Sequence, residues 1–328
     1  MRVLVTGGAG FIGSHLVEQL LHRGDEVTVL DDLSTGRLRN LDGVREHPRL
    51  DIVIGSILDR STLGWLTEGR ERVYHLAAAV GVRLIVEQPL TGMRTNIHGT
   101  ENVLDACRDA GASLLLVSTS EIYGKNAADR LHEESDRILG SPLLSRWTYA
   151  AAKGIDEAFA HAYWQEFGLP VSIVRLFNTV GPRQTGRYGM VVPTLIGQAL
   201  NGQPLTVFGD GKQTRCFSYV GDVVPALRAI ADDPRSQGHA YNLGGAQEIS
   251  IGALAERIVE LLDSPSPIHL VPYEEAYAPG YEDMRRRVPD NRRAEELVGF
   301  IPRTGVDEII RIVAASMMAR RPSLAGSV

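Results

Sequence analysis

Short apolar runs that end in glycine or a polar turn recur along the chain, with amphipathic stretches between them. Residues 2–6 (RVLVT) form the first run, closed at once by Gly7 and Gly8, which predicts a buried strand. Residues 12–23 (IGSHLVEQLLHR) place apolar side chains at helical spacing and end at Gly24, a helix with glycine just past its last turn. Val27–Leu30 predicts a second strand, and 51–54 and 72–76 two more. A helix is expected over 96–110, ending at Gly111, then a strand over 113–118 (SLLLVS). A long helix over 146–167, stopped by Gly168 and Pro170, precedes a strand over 171–177 (VSIVRLF). Alternation of this kind, with near-continuous apolar strands, predicts an α/β fold with a parallel sheet covered on both faces.

The pattern fits a doubly wound, Rossmann-type nucleotide-binding domain over about residues 1–178. It loosens afterwards. Residues 179–218 are rich in Gly, Pro and Arg, and the tail from 264 in Pro and Arg. A smaller substrate-binding lobe is expected from 179–218 and 247–328, closing a cleft over the carboxyl ends of the strands. Residues 219–246, with a helix pattern and the strand-like AYNLGG, are expected to return to the first domain.

A chain of 328 residues suits one large or two joined domains. Its 44% apolar and 23% charged content is ordinary for a soluble globular protein. The net charge of −6 argues against a nucleic-acid surface, which needs a basic excess. Cys107 and Cys216 have no partner at metal or disulfide spacing, so reduced thiols and no metal site are expected. No apolar run approaches the ~20 residues of a membrane span. The run Val3-Leu4-Val5 ends in glycines and does not read as a signal peptide. The cytoplasm is the expected location, with no membrane partner.

Candidate chemistry sits in two places. Gly7, Gly10 and Gly13 lie between the first strand and the first helix. Glycine there permits a tight turn and close approach of backbone to pyrophosphate, and the helix amino terminus offers free N–H groups. Asp31 ends the second strand, with Asp32 beside it. A carboxylate at that point accepts from ribose hydroxyls and repels a 2′-phosphate, which favours NAD over NADP. The second place combines Ser118-Thr119-Ser120-Glu121, after a strand, with Tyr149 and Lys153. Tyr149 and Lys153 are four apart and share a helix face. The amine is expected to lower the phenol pKa and make Tyr149 a general base.

Seven segments carry a resemblance: TGGAGFIGSH (6–15), HLAA (75–78), TNIHGT (95–100), STSEIYG (118–124), YAAAK (149–153), RLFNTVGPR (175–183) and VFGDGKQTRCFSYVGD (207–222). In this order, over nearly the whole chain, they resemble the extended short-chain dehydrogenase/reductase superfamily, in its NAD-dependent nucleotide-sugar epimerase/dehydratase branch. The motifs are most similar to those of UDP-glucuronate decarboxylases. The resemblance implies that Gly7, Gly10, Phe11, Ile12, Gly13, Asp31, Asp32, Leu76, Ala77, Ala78, Asn96, Ser118, Tyr149 and Lys153 serve NAD. Many relatives meet the adenine with an acidic pair or Ser-Ile; this chain has Gly55-Ser56-Ile57, where Ser56 keeps an acceptor. Asn178, Val192 and Arg215 would hold the nucleotide diphosphate and base, with Val82, Arg83 and Tyr281 as further substrate contacts. Thr119 and Tyr149 would meet the sugar 4-hydroxyl. A homodimer through a four-helix bundle is also implied, using helices 96–110 and 149–167.

The shared first step implied by the branch is C4 oxidation. Three outcomes then stay open: decarboxylation of a UDP-hexuronate such as UDP-glucuronate, 4-epimerisation of a UDP-sugar, and 4,6-dehydration. A silent NAD-binding regulator on the same fold would lack the Tyr–Lys pair. Glu121 resembles the decarboxylases and dehydratases, and Ser120 replaces the aspartate of glucose-type dehydratases. Ser145-Arg146-Trp147-Thr148 resembles the decarboxylases too. Arg286-Arg287-Val288-Pro289-Asp290 is similar to their Arg-x-Pro-Asp element. Arg287 would then hold the C6 carboxylate, which a planar guanidinium suits.

Overall fold

The computed structural model describes residues 1–80, 88–186, 190–276 and 284–320. Seven parallel strands make one sheet. In chain order they are β1 (Arg2–Thr6), β2 (Glu26–Asp31), β3 (Leu50–Ile54), β4 (Arg72–His75), β5 (Ser113–Thr119), β6 (Val171–Leu176) and β7 (Ala240–Leu243). Their spatial order is β7-β6-β5-β4-β1-β2-β3. The chain thus leaves β1 toward β3, then returns past β1 to run outward from β4. The crevice between β1 and β4 is the switch point where doubly wound sheets bind ligands.

The strand sequences explain the two covered faces. Val3 and Val5 join the apolar cluster of helices α1 (Phe11–Arg23) and 220–232, while Leu4 joins the opposite one. Leu115 belongs to the first face, and Leu114 and Leu116 to the second. Successive side chains point to opposite faces, so a strand buried on both reads as an unbroken apolar run. The second face is covered by α2 (Arg60–Thr67), α3 (Pro89–Ala110) and α4 (Thr148–Phe167). A separate cluster holds helices 191–200, 251–261 and 306–319 with two-stranded pairings, among them 205–208 with 268–271.

Helix α3 begins at Pro89, seven residues before the expected start. Its first two turns, PLTGMRTN, lack an apolar stripe, but proline fits the first helical position. The long helix opens as a 3-10 turn over Ser145–Trp147 before α4 proper. No described helix is long and apolar enough to cross a membrane.

Candidate active site

The cleft of about 790 Å³ runs along the carboxyl edge of the sheet. The Gly7–Gly13 turn follows β1, Asp31 ends β2, Leu76–Ala79 follow β4, and Thr119–Glu121 close β5. Each element therefore delivers its functional residue to the same rim.

The glycine turn is built for a close neighbour. Gly7 has φ +73°, and a Cβ there would lie 2.7 Å from the Ala77 nitrogen. A Cβ on Gly13 would lie 2.1 Å from the Gly7 carbonyl oxygen. Any side chain would push the helix off the turn. Asp31 accepts from the backbone N–H groups of Ala9 and Leu33, both at 2.9 Å. Burial, opposed by those N–H groups, raises its pKa. A carboxylate has about four lone-pair sites, so acceptor capacity remains toward the cleft. Asp32 also lines the cleft and accepts from the Ser34 backbone and hydroxyl. These features fit a dinucleotide whose pyrophosphate meets the α1 amino terminus.

Leu76, Ala77, Ala78, Phe11, Ile12, Ile57 and Ser118 all line the cleft. Asn96 does not; its amide clamps the Ala79 N–H (2.7 Å) and carbonyl (3.2 Å), and so shapes the wall behind. Ser56 is turned onto its own loop, where its hydroxyl accepts from the Leu58 N–H at 3.2 Å. Ser118 donates to the buried Glu157 carboxylate, which Arg175 holds at 2.7 Å.

At the far end Thr119, Ser120, Glu121, Tyr149, Asn178, Val192, Arg215 and Arg287 line one space. Arg287 crosses 166 positions of sequence to donate to Glu121 at 2.6 Å. It also donates to the Ser120 hydroxyl (3.2 Å) and the Asn178 side-chain amide oxygen Oδ1 (3.1 Å). The other Glu121 oxygen accepts from Arg146 at 2.6 Å, whose guanidinium lies over Trp147. Burial alone would raise the Glu121 pKa; Arg287, then Arg146 and Arg215, bring it down to about 2. Glu121 is thus an anion throughout the working range and no proton donor. Its folded pKa lies below the unfolded ~4.3, so the ion pairs stabilise the chain fully above that pH and less as pH falls toward 2. The melting-temperature gap between wild type and Glu121→Gln is therefore expected, by calorimetry, to hold from neutral pH down to the unfolded pKa, to narrow to roughly half near pH 3 and to close only as pH falls to about 2. A gap independent of pH would remove this role.

One expectation is corrected. Lys153 is buried behind the wall and pairs with Asp156 at 2.9 Å. The Tyr149 pKa is raised, by burial first and then by Glu121 and Asp156, against the Thr119 hydrogen bond. Sequence reading gave Arg146 no role, although its place three residues before Tyr149 was a signal. Asp156 and the cleft residues Gln184 and Tyr273 carried no motif that pointed to them, and Gln213, inside the 207–222 segment, was given no role. Val82, Arg83 and Tyr281 lie outside the described residues.

The profile of the GDP-mannose 4,6 dehydratase family matches residues 4–313. The UDP-N-acetyl-alpha-D-glucosaminuronate decarboxylase of Bacillus cytotoxicus is 40% identical over 92% of each chain. UDP-glucuronic acid decarboxylase 1 of Xenopus tropicalis is 37% identical over 94% of this chain and 70% of its own. Among solved structures, the dTDP-glucose 4,6-dehydratase of Streptomyces venezuelae with NAD bound superposes with TM-score 0.88 at 31% identity, over 98% of each chain. The chain belongs to the GDP-mannose 4,6 dehydratase family, within the extended short-chain dehydrogenases/reductases.

Proposed function

We propose that this chain decarboxylates a UDP-hexuronate oxidatively, yielding a UDP-pentose, through transient oxidation at C4. The observation that carries the reading is Arg287, brought beside Ser120 and Glu121 on the rim that also holds Tyr149. The decarboxylase relatives support it. Residues 1–178 with 219–246 would hold NAD, and 179–218 with 247–328 the nucleotide sugar.

NAD supplies a hydride acceptor that returns what it takes, so no net redox occurs. Tyr149 takes the C4 hydroxyl proton, with Thr119 bonded to the same oxygen and Lys153 beneath. The resulting 4-ketone makes C6 the carboxylate of a β-keto acid. Breaking C5–C6 releases carbon dioxide and leaves the electron pair on the C4–C5 enolate. Arg287 holds the carboxylate before that step, and the enolate takes a proton from solvent water at C5 before C4 is reduced and Tyr149 returns its proton to the C4 oxygen. Glu121 keeps the Arg287 and Arg146 guanidiniums in place. Glu121→Gln is expected to slow the steps after oxidation by about 10- to 100-fold, since a lost charge-assisted bond is worth about 1.5–3 kcal/mol. Single-turnover measurement of bound NADH decay checks it; an unchanged decay would leave Glu121 a structural role only.

Mass spectrometry and proton NMR after incubation with NAD and UDP-glucuronate, or UDP-glucose, test the reaction itself. Loss of carbon dioxide from UDP-glucuronate supports the reading. Unchanged mass with inverted C4 signals would replace it with a 4-epimerase, and loss of water from UDP-glucose with a 4,6-dehydratase. We also place the enzyme in the cytoplasm, as a homodimer through α3 and α4.

A further inference from the structure

Lys153 and Asp156 are one helical turn apart in α4, and both are buried, Asp156 completely. Their charged atoms meet at 2.9 Å. Neither Asp156 oxygen has an aligned hydrogen bond among the described residues. A carboxylate so far from water needs a cation beside it. Behind it a polar chain continues. The Thr100 hydroxyl faces the Asp156 carboxyl. Thr100 also meets the His75 Nε2 at 3.1 Å, and His75 Nδ1 meets the Thr6 hydroxyl at 2.7 Å. Thr6 in turn accepts from the Ala77 N–H, on the cleft wall against Gly7. Burial and Lys153 hold His75 neutral, with a pKa of about 3. A neutral imidazole donates from one nitrogen and accepts at the other, which suits a place between two hydroxyls.

We propose that Asp156 is a positioning residue that anchors Lys153 beneath Tyr149 and, through Thr100, His75 and Thr6, ties the catalytic pair to the dinucleotide seat. The proposal rests on the Tyr149–Lys153 assignment above. Asp156 sets how readily Tyr149 ionises, because its charge opposes formation of the phenolate. The groups facing Asp156 are Lys153 and Glu157 on its own helix and Thr100 on α3, with His75 of β4 behind Thr100. Those facing Tyr149 are Glu121 and Thr119 at the end of β5 and, on its own helix, Asp156 and, four residues on, Lys153.

Titration of Tyr149 by ultraviolet difference, each protein minus its Tyr149→Phe counterpart, tests this without substrate. Asp156→Asn is expected to lower the midpoint by about one unit, a tenfold rise in phenolate at a given lower pH. Asp156→Glu keeps the charge and holds the midpoint. Asp156→Ser, which also removes the charge, moves it the same way and decides the matter if Asp156→Asn does not fold. An unmoved midpoint in folded Asp156→Asn, or an equal shift in Asp156→Glu, overturns the proposal. Failure of the decarboxylase reading registers elsewhere, as absence of decarboxylated product from the wild type.

Discussion

Tyr149→Phe is expected to keep NAD binding within a few-fold and to lose turnover by about three orders of magnitude, the middle of the range for a positioned general base. That loss corresponds to about 4 kcal/mol of barrier. The substitution deletes one oxygen and leaves the ring, so the wall of the cleft keeps its packing. The hydroxyl is the atom that Thr119 bonds and that burial, then Glu121 and Asp156, keep protonated. The raised phenol pKa has a kinetic consequence. A base that must first lose a proton gives turnover that rises with pH along an acid limb, and that limb should vanish from the residual activity of Tyr149→Phe. NAD affinity by fluorescence titration and turnover by product mass check the two halves separately. Unchanged turnover would remove Tyr149 as the base.

Much of the fold was legible because its strands are buried on both faces. RVLVT, VTVL and SLLLVS need no alternation to be recognised, and Gly24, Gly111 and Gly168 mark where the three helices expected from the sequence stop. The Gly7–Gly13 turn was legible for a steric reason: no side chain fits 2.1 Å from the Gly7 carbonyl. Less legible were features that depend on neighbours distant in sequence. The first turns of α3 show no apolar stripe, so periodicity placed its start at 96. Ser56 was read as an adenine acceptor from its type; its hydroxyl accepts from the Leu58 N–H of its own turn and keeps a donor and a second lone pair. The proton affinity of Tyr149 was misjudged because Lys153 was counted while burial, Glu121 and Asp156 were not. Sequence spacing shows that two residues share a helix face. It does not show which third group the cation prefers.

Arg287→Ala is expected to lower decarboxylation about 100- to 1,000-fold, the scale for truncating one partner of a buried hydrogen-bonded charge pair, while C4 oxidation persists. In single turnover, bound NADH should form and then decay slowly, with carbon dioxide release delayed alongside. The difficulty is that Arg287 also holds Glu121 at 2.6 Å, so the variant disturbs an ion pair as well as removing a carboxylate ligand. A double-mutant cycle with Glu121→Gln separates the two. If Arg287 works only by fixing Glu121, its removal from the Glu121→Gln background costs almost nothing. If it grips the C6 carboxylate itself, most of the loss survives in that background. Arg287→Lys sharpens the contrast, since a lysine keeps the charge but not the planar fork; it should recover part of the binding and little of the rate. A further discriminator is the substrate. UDP-glucose has no C6 carboxylate, so its C4 oxidation should be nearly indifferent to Arg287→Ala, whereas KM for UDP-glucuronate should rise. Equal losses with both sugars would mean that Arg287 shapes the site through Ser120, Glu121 and Asn178 and does not recognise the carboxylate.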